Sequence, residues 1–276
     1  MSLRFYQAVI GRELQKMLRQ KDRLASAMVR PVLWLWVIGG GMSSLAGPDY
    51  ALRLLPGIVA MTLLFGGMIG GLSIALDKDA GTMRLLVAAP VSELHVLLAK
   101  GCSACLNACL QTVLFLLILL AVEGFNVALG WGAGPHASAA FTGMFSWVGR
   151  FPAPHLLQLL GVLLVGGFTC AALGLLCGVF TKTIDGFAVM MNFVIFPVFF
   201  FSGALYPVSG MPSLVKFLAL LNPFTYVVDA MRHVWGLNAE HSLGLNFSVM
   251  LLALALMLTV AVWKFKRGGA VVIFRV

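Results

Sequence analysis

Residues able to do chemistry are few in this chain, and they are dispersed. The five histidines (His95, His136, His155, His233 and His241) stand far apart, and ten carboxylates are spread over 276 residues. That pattern offers no paired acid and base, so no catalytic residue is read from it. Cys102, Cys105 and Cys109 recur at i, i+3 and i+7 on one helical face, with Cys170 and Cys177 elsewhere. A metal ion there would need further ligands close by. All five thiols fall inside apolar runs, where small side chains let helices approach closely. Neither a metal site nor a disulfide framework is expected. A phosphate-binding loop of the form Gly-x-x-x-x-Gly-Lys-Ser/Thr occurs nowhere in the chain, so it does not cradle ATP in that way.

The composition says what must carry these residues. It is 61% hydrophobic and 11% charged, with a mean hydropathy of +0.98, whereas soluble domains run to about 25% charged. The expected class is an all-α integral membrane protein, a single domain over 1–276. Six apolar segments are read as spans: 28–46, 54–76, 101–122, 155–180, 187–205 and 244–263. Each is close to the ~20 residues that cross the hydrocarbon as a helix. The first 30 residues are too charged to hold the apolar core of a cleaved leader. Instead, Tyr6, Ile10, Leu14, Met17 and Leu24 fall near one face of 1–27, and Arg4, Arg12, Lys16, Arg19 and Arg23 take much of the rest. That is the pattern of a helix lying in the headgroup layer.

Charge sets the orientation. With six spans, fifteen of the nineteen Lys and Arg lie on the side of the two termini, against Arg53, Arg150, Lys216 and Arg232 on the other. Basic residues concentrate on the cytoplasmic side, so both termini are expected there, in a bacterial inner membrane. The same bias accounts for the net charge of +9 without nucleic acid. Apart from Arg30 and His155, both near span ends, the spans hold no acid, base or histidine, and Arg30 can snorkel to the inner surface. A carrier driven by ions would place ionisable groups at mid-span. Asn107, Gln111 and Asn192 are amides inside spans; such groups bond a neighbouring helix or line a path. Gly66, Gly67, Gly70 and Gly71 form two overlapping small-xxx-small pairs, suited to close packing within the subunit or to a dimer contact.

Two stretches interrupt the apolar pattern informatively. The first, 76–100, sets Asp77, Lys78, Asp79 and Arg84 in a short helix-like segment ending at Pro90, with Glu93, His95 and Lys100 following before the next apolar run. Gly81 lets the backbone turn sharply after the span. Thr82 can cap the helix that follows, and Pro90 stops it. The second, 206–238, is apolar but broken by Pro207, Pro212 and Pro223. It reads as two short helices, 211–221 and 223–235, that dip in and return. Asp229 and Arg232, three apart on the second, can pair.

Asp77, Asp79, Gly81, Thr82, Leu85, Leu86, Pro90 and Val91 together resemble the signature of type 2 ABC transporter permeases. Ser202-Gly203, Tyr206-Pro207, Met211-Pro212, Asn222-Pro223 and the 229–232 segment resemble the C-terminal region of the same family. The linker 123–154 is longer than many members need. The resemblance implies a transmembrane subunit that pairs with a second copy, as a homodimer, and with two copies of a separate ATPase that binds ATP and Mg. It also implies export. On this reading Leu85 and Leu86 enter a groove on the ATPase, and Asp77, Asp79 and Arg84 set register through charges at its rim. Tyr206, Pro207, Pro212, Asn222, Pro223, Asp229 and Arg232 then form an outer gate. The alternative from another class is a scaffold that docks a cytoplasmic partner without transporting anything.

Overall fold

The computed structural model describes residues 2–19, 21–39, 41–42, 45, 47, 50–81, 92–128 and 153–273. Regular structure among them is entirely helical, as lipid demands of any segment that must satisfy its own backbone. In order come α1 Ser2–Arg19, α2 Lys21–Trp34 extended by a π-helical turn Leu35–Gly39, α3 Tyr50–Asp79 and α4 Glu93–Ala128. Then follow α5 Ala153–Phe180, α6 Ile184–Phe200, a 3₁₀ turn Val208–Gly210, α7 Ser213–Leu221, α8 Pro223–Val234 and α9 Leu243–Ile273.

Several boundaries differ from those expected. Over the stretch expected as one helix, 1–27, the described residues are helical, α1 packing on α4 and α2 touching both α3 and α4. Glu93, His95 and Lys100, assigned to the polar connection, are already helical in α4. Hydropathy cannot see this, because a helix continues past the apolar run wherever its charges find partners. The fifth apolar helix stops at Phe200 instead of 205. There Ser202 donates to the Phe199 carbonyl at 2.6 Å, and Gly203 takes a left-handed φ of +77°, which a residue without Cβ adopts freely.

Among the described residues, four helices are long and apolar enough to cross a membrane: Leu52–Asp79, Leu94–Val122, His155–Phe180 and Leu243–Arg267. The segments Ala27–Gly39 and Ile184–Phe200 are apolar but shorter, and α7 with α8 form one apolar pair bent by 86°. The protein is thus a multi-pass helical membrane protein. The bend falls at Asn222-Pro223, where the Asn222 side chain accepts from the Phe224 amide at 3.1 Å and Pro223 starts α8. Proline is suited to that first position because its missing N–H has no partner to lose.

α3 is the central post. Its apolar window is 83% buried, against 17% for α9 at the periphery. The four glycines explain how it accepts neighbours on two sides. A Cβ at Gly71 would lie 2.0 Å from the Gly174 carbonyl oxygen, and one at Gly67 2.5 Å from the Cys170 backbone, so this face meets α5. A Cβ at Gly66 would lie 2.5 Å from Ala108, and one at Gly70 2.7 Å from Ala104, so that face meets α4. Both small-residue pairs are therefore consumed within the subunit. Close contact supplies the dispersion energy that hydrophobicity cannot supply between helices in lipid. Cys105 and Cys109 follow the same logic, their thiols bonding the Leu164 and Leu163 carbonyls of α5 at 3.5 and 3.3 Å.

Candidate coupling and gate sites

The connection between α3 and α4 is held at both of its ends. α3 closes with Ala80 N–H donating to the Leu76 carbonyl (2.9 Å) and Gly81 N–H to that of Lys78 (3.2 Å), Gly81 having φ +69°. This is the sharp turn expected of Gly81. Thr82, Arg84, Leu85, Leu86 and Pro90 lie outside the described residues. On the far side the Ser92 carbonyl accepts the His95 and Val96 amides and starts α4.

Three charges fasten these ends. The ammonium of Lys78 donates to the carbonyls of Gly178 (2.9 Å), Val179 (2.8 Å) and Thr181 (2.7 Å). It thereby closes the C-terminus of α5, where unpaired carbonyls and the helix dipole favour a cation. Lys100, only 1% exposed, bonds the Asp77 carboxylate and the Ser73 hydroxyl. The Ser73 hydroxyl donates in turn to the Glu13 carboxylate of α1 at 3.0 Å, and Arg12 stands 3.9 Å from Asp77. α1, α3 and α4 are thus tied by one polar cluster under the connection, while Asp79 faces outward. Asp77 and Asp79, adjacent in the motif, part ways: one anchors, the other is presented.

Spacing had not disclosed this cluster. Ser73 and Asp77 are one turn apart, a visible signal, but nothing in the chain says that Lys100 opposes them. A second polar contact, the Thr62 and Thr112 hydroxyls at 2.7 Å, joins α3 to α4 near mid-helix. It was equally silent.

At the opposite end of the bundle, Asp229 (3% exposed) and Arg232 (9%) are both buried. The Asp229–Arg232 pairing that the spacing allows is replaced by bonds to other elements. Asp229 accepts from the Glu240 amide (2.8 Å), the His241 amide (3.0 Å) and the Asn246 side chain (2.9 Å). Arg232 donates to the Gly203 carbonyl. Asn222 additionally donates to the Val198 carbonyl at 2.6 Å. The result is a clasp joining α6, α8 and α9, with Tyr206, Pro207 and Pro212 exposed on its rim.

The three amides separate. Asn107 and Gln111 are buried on α4, whereas Asn192 is exposed on α6 beside Val189, Phe193 and Phe196. Gln111 lines a cleft of about 250 Å³ between α2, α3, α4 and α6. Arg30 lines it too, its guanidinium 4.0 Å above the centre of the Phe65 ring. Arg30 itself is exposed at the mouth of this cleft. Phe65 is at the middle of the 30-residue α3, about 20 Å from either end at 1.5 Å per residue.

Comparison with known proteins agrees with this architecture. Residues 4–235 match the model of the ABC-2 type transporter family. The ycf38 transport permease of Porphyra purpurea is 24% identical over 239 residues, covering 83% of this chain and 73% of that one. The inner membrane transport permease YadH of Escherichia coli K12 is 27% identical over 192 residues, 65% of this chain and 74% of its own. Nodulation protein J of Rhizobium leguminosarum bv. trifolii is 23% identical over 224 residues, 78% and 76% respectively. A match that runs from the polar cluster through the central post to α8 leaves one conclusion: the chain belongs to the ABC-2 type transporter membrane family.

Proposed function

We propose that this chain is the permease subunit of an ATP-driven exporter, working as two copies with two copies of a separate ATPase that binds ATP and Mg. The observation that carries the reading is the fixing of both ends of the 82–91 connection. A short segment tied through Lys78 to α5 and through Asp77–Lys100 to α3, α4 and α1 passes a push on to the bundle instead of absorbing it. ATP binding by the partner draws the motor subunits together and displaces this segment. The displacement reaches α3, and through its contacts α2 and α6, shifting the bundle between two states. Leu85 and Leu86 supply the apolar contact, with Asp79 and Arg84 at its rim.

The six-span topology with cytoplasmic termini, in a bacterial inner membrane, is part of the same proposal, α2 and α6 serving as the first and fifth crossings. It is supported by the distribution of basic residues. The bent α7–α8 pair then lies at the outer face as a re-entrant hairpin and closes the path between cycles.

The test is purification of the tagged chain in mild detergent from cells that also make its ATPase. An ATPase of separate sequence is expected in equal ratio. Replacing Leu85 and Leu86 together by aspartate should lower its recovery by about tenfold or more, since buried apolar anchors dominate such contacts. Failure of any ATPase to bind, with or without nucleotide, would overturn the reading in favour of a scaffold.

A further inference from the structure

Among the described residues, Lys78, Lys100 and Arg232 are drawn into the bundle and answered there, whereas Arg30 stands exposed at the mouth of a cleft. Lys78 has three carbonyls, Lys100 has Asp77 and Ser73, and Arg232 has the Gly203 carbonyl. Arg30 is the exception. Among the described residues it has neither a hydrogen-bonding nor an ionic partner, only the face of Phe65. A ring face attracts the charge but leaves the five N–H donors of a guanidinium unused. Gln111 is in the same position on the facing wall: it is 4% exposed, lines the same cleft, and has no bonding partner among the described residues.

The depth makes this costly. The cleft sits against the middle of α3 and the middle of α4, with Thr62, Phe65 and Gln111 on its walls. An unpaired arginine at that level of a membrane is expensive and marks a site for a counter-charge. A second copy of the chain does not supply one. No Asp or Glu falls within 28–46, 54–76, 101–122, 155–180, 187–205 or 244–263, and Asp229 already answers three donors. The counter-charge must therefore arrive with a ligand. The remaining walls, including Met61, Met68 and Leu72, are apolar, so the ligand that fits carries its charge on an apolar body.

We propose that this cleft binds the anionic headgroup, phosphate or carboxylate, of an amphipathic molecule. Arg30 takes the charge in a forked pair of hydrogen bonds, Gln111 bonds a neighbouring polar atom, and Met61, Met68 and Leu72 receive the apolar part. This deepens the permease reading by naming a substrate class and rests on it. Its test, however, needs no ATPase, so either idea can fail while the other stands.

The experiment is equilibrium binding to the purified full chain, read by native mass spectrometry. Its probes are dioctanoyl phosphatidic acid, dioctanoylglycerol and inorganic phosphate. Phosphatidic acid should bind at least about tenfold more tightly than the neutral glyceride or free phosphate, as a charge-assisted contact combined with apolar burial requires. Arg30→Gln should lose about tenfold, Arg30→Lys less, and Gln111→Leu a smaller but measurable factor. Unchanged binding by Arg30→Gln, equal binding of the glyceride, or equal binding of free phosphate would each overturn the proposal. Should Arg30→Gln fail to fold, unchanged binding by Gln111→Leu overturns it alone.

Discussion

Replacing Lys100 by alanine is expected to lower the stability of the folded chain by about 3 kcal/mol, near the lower end for breaking a buried ion pair. The lower end applies because the Asp77 side chain keeps 13% of its surface exposed and water can reach it. Loss of the ammonium leaves Asp77 and the Ser73 hydroxyl facing an apolar hole at the point where α1, α3 and α4 meet. A thermal melt in detergent should fall by roughly 10 °C. The double variant Asp77→Asn with Lys100→Met removes both charges and should recover most of the loss, because a buried pair contributes little net stability once neither ion remains. Its functional consequence differs. The double variant keeps the fold but loses the strut beneath the 82–91 connection, so ATPase recovery should stay low although the melt is restored. Recovery of both together would show the cluster to be a packing feature with no role in coupling.

Replacing Asp229 by alanine should cost more, about 3–5 kcal/mol, because two backbone amides and the Asn246 amide lose one acceptor at once. Each bonds a carboxylate oxygen now, and Asp229 and Asn246 are both buried. Asp229→Asn should recover only part of this, as its NH₂ group would point a donor at donors. The melt is the measurement. A shift of less than about 2 °C for Asp229→Ala would show that the 236–242 turn finds other acceptors and that the clasp does not hold α8 to α9.

The two predictions fall on opposite sides of what could be read from residue order. The Asn222-Pro223 break was plain in the chain. A capping asparagine and a proline at a first helical position act on their own neighbours, so α7 and α8 appear within two residues of where they were expected. Gly81 was legible for the same reason, its freedom at positive φ being local. Asp229 was noticed, but its partners were not. An i, i+3 spacing says that two side chains can meet; it does not say that a backbone turn eleven residues on offers a carboxylate better donors. Lys100 was read as a loop charge, because nothing around it in sequence announces Asp77 across 23 positions.

By itself, then, the sequence determined the class, the helical segments, the sites of the breaks and the family. These follow from composition, period and the local stereochemistry of Gly, Pro, Asn and Ser, all of which act within a few residues. Tertiary structure alone decided which helix is central, which glycine faces which neighbour, and which ion meets which counter-charge. Those are facts of contact between segments far apart in the chain. Interhelical contacts in lipid depend on close van der Waals fit and paired polar atoms, and neither is periodic in sequence.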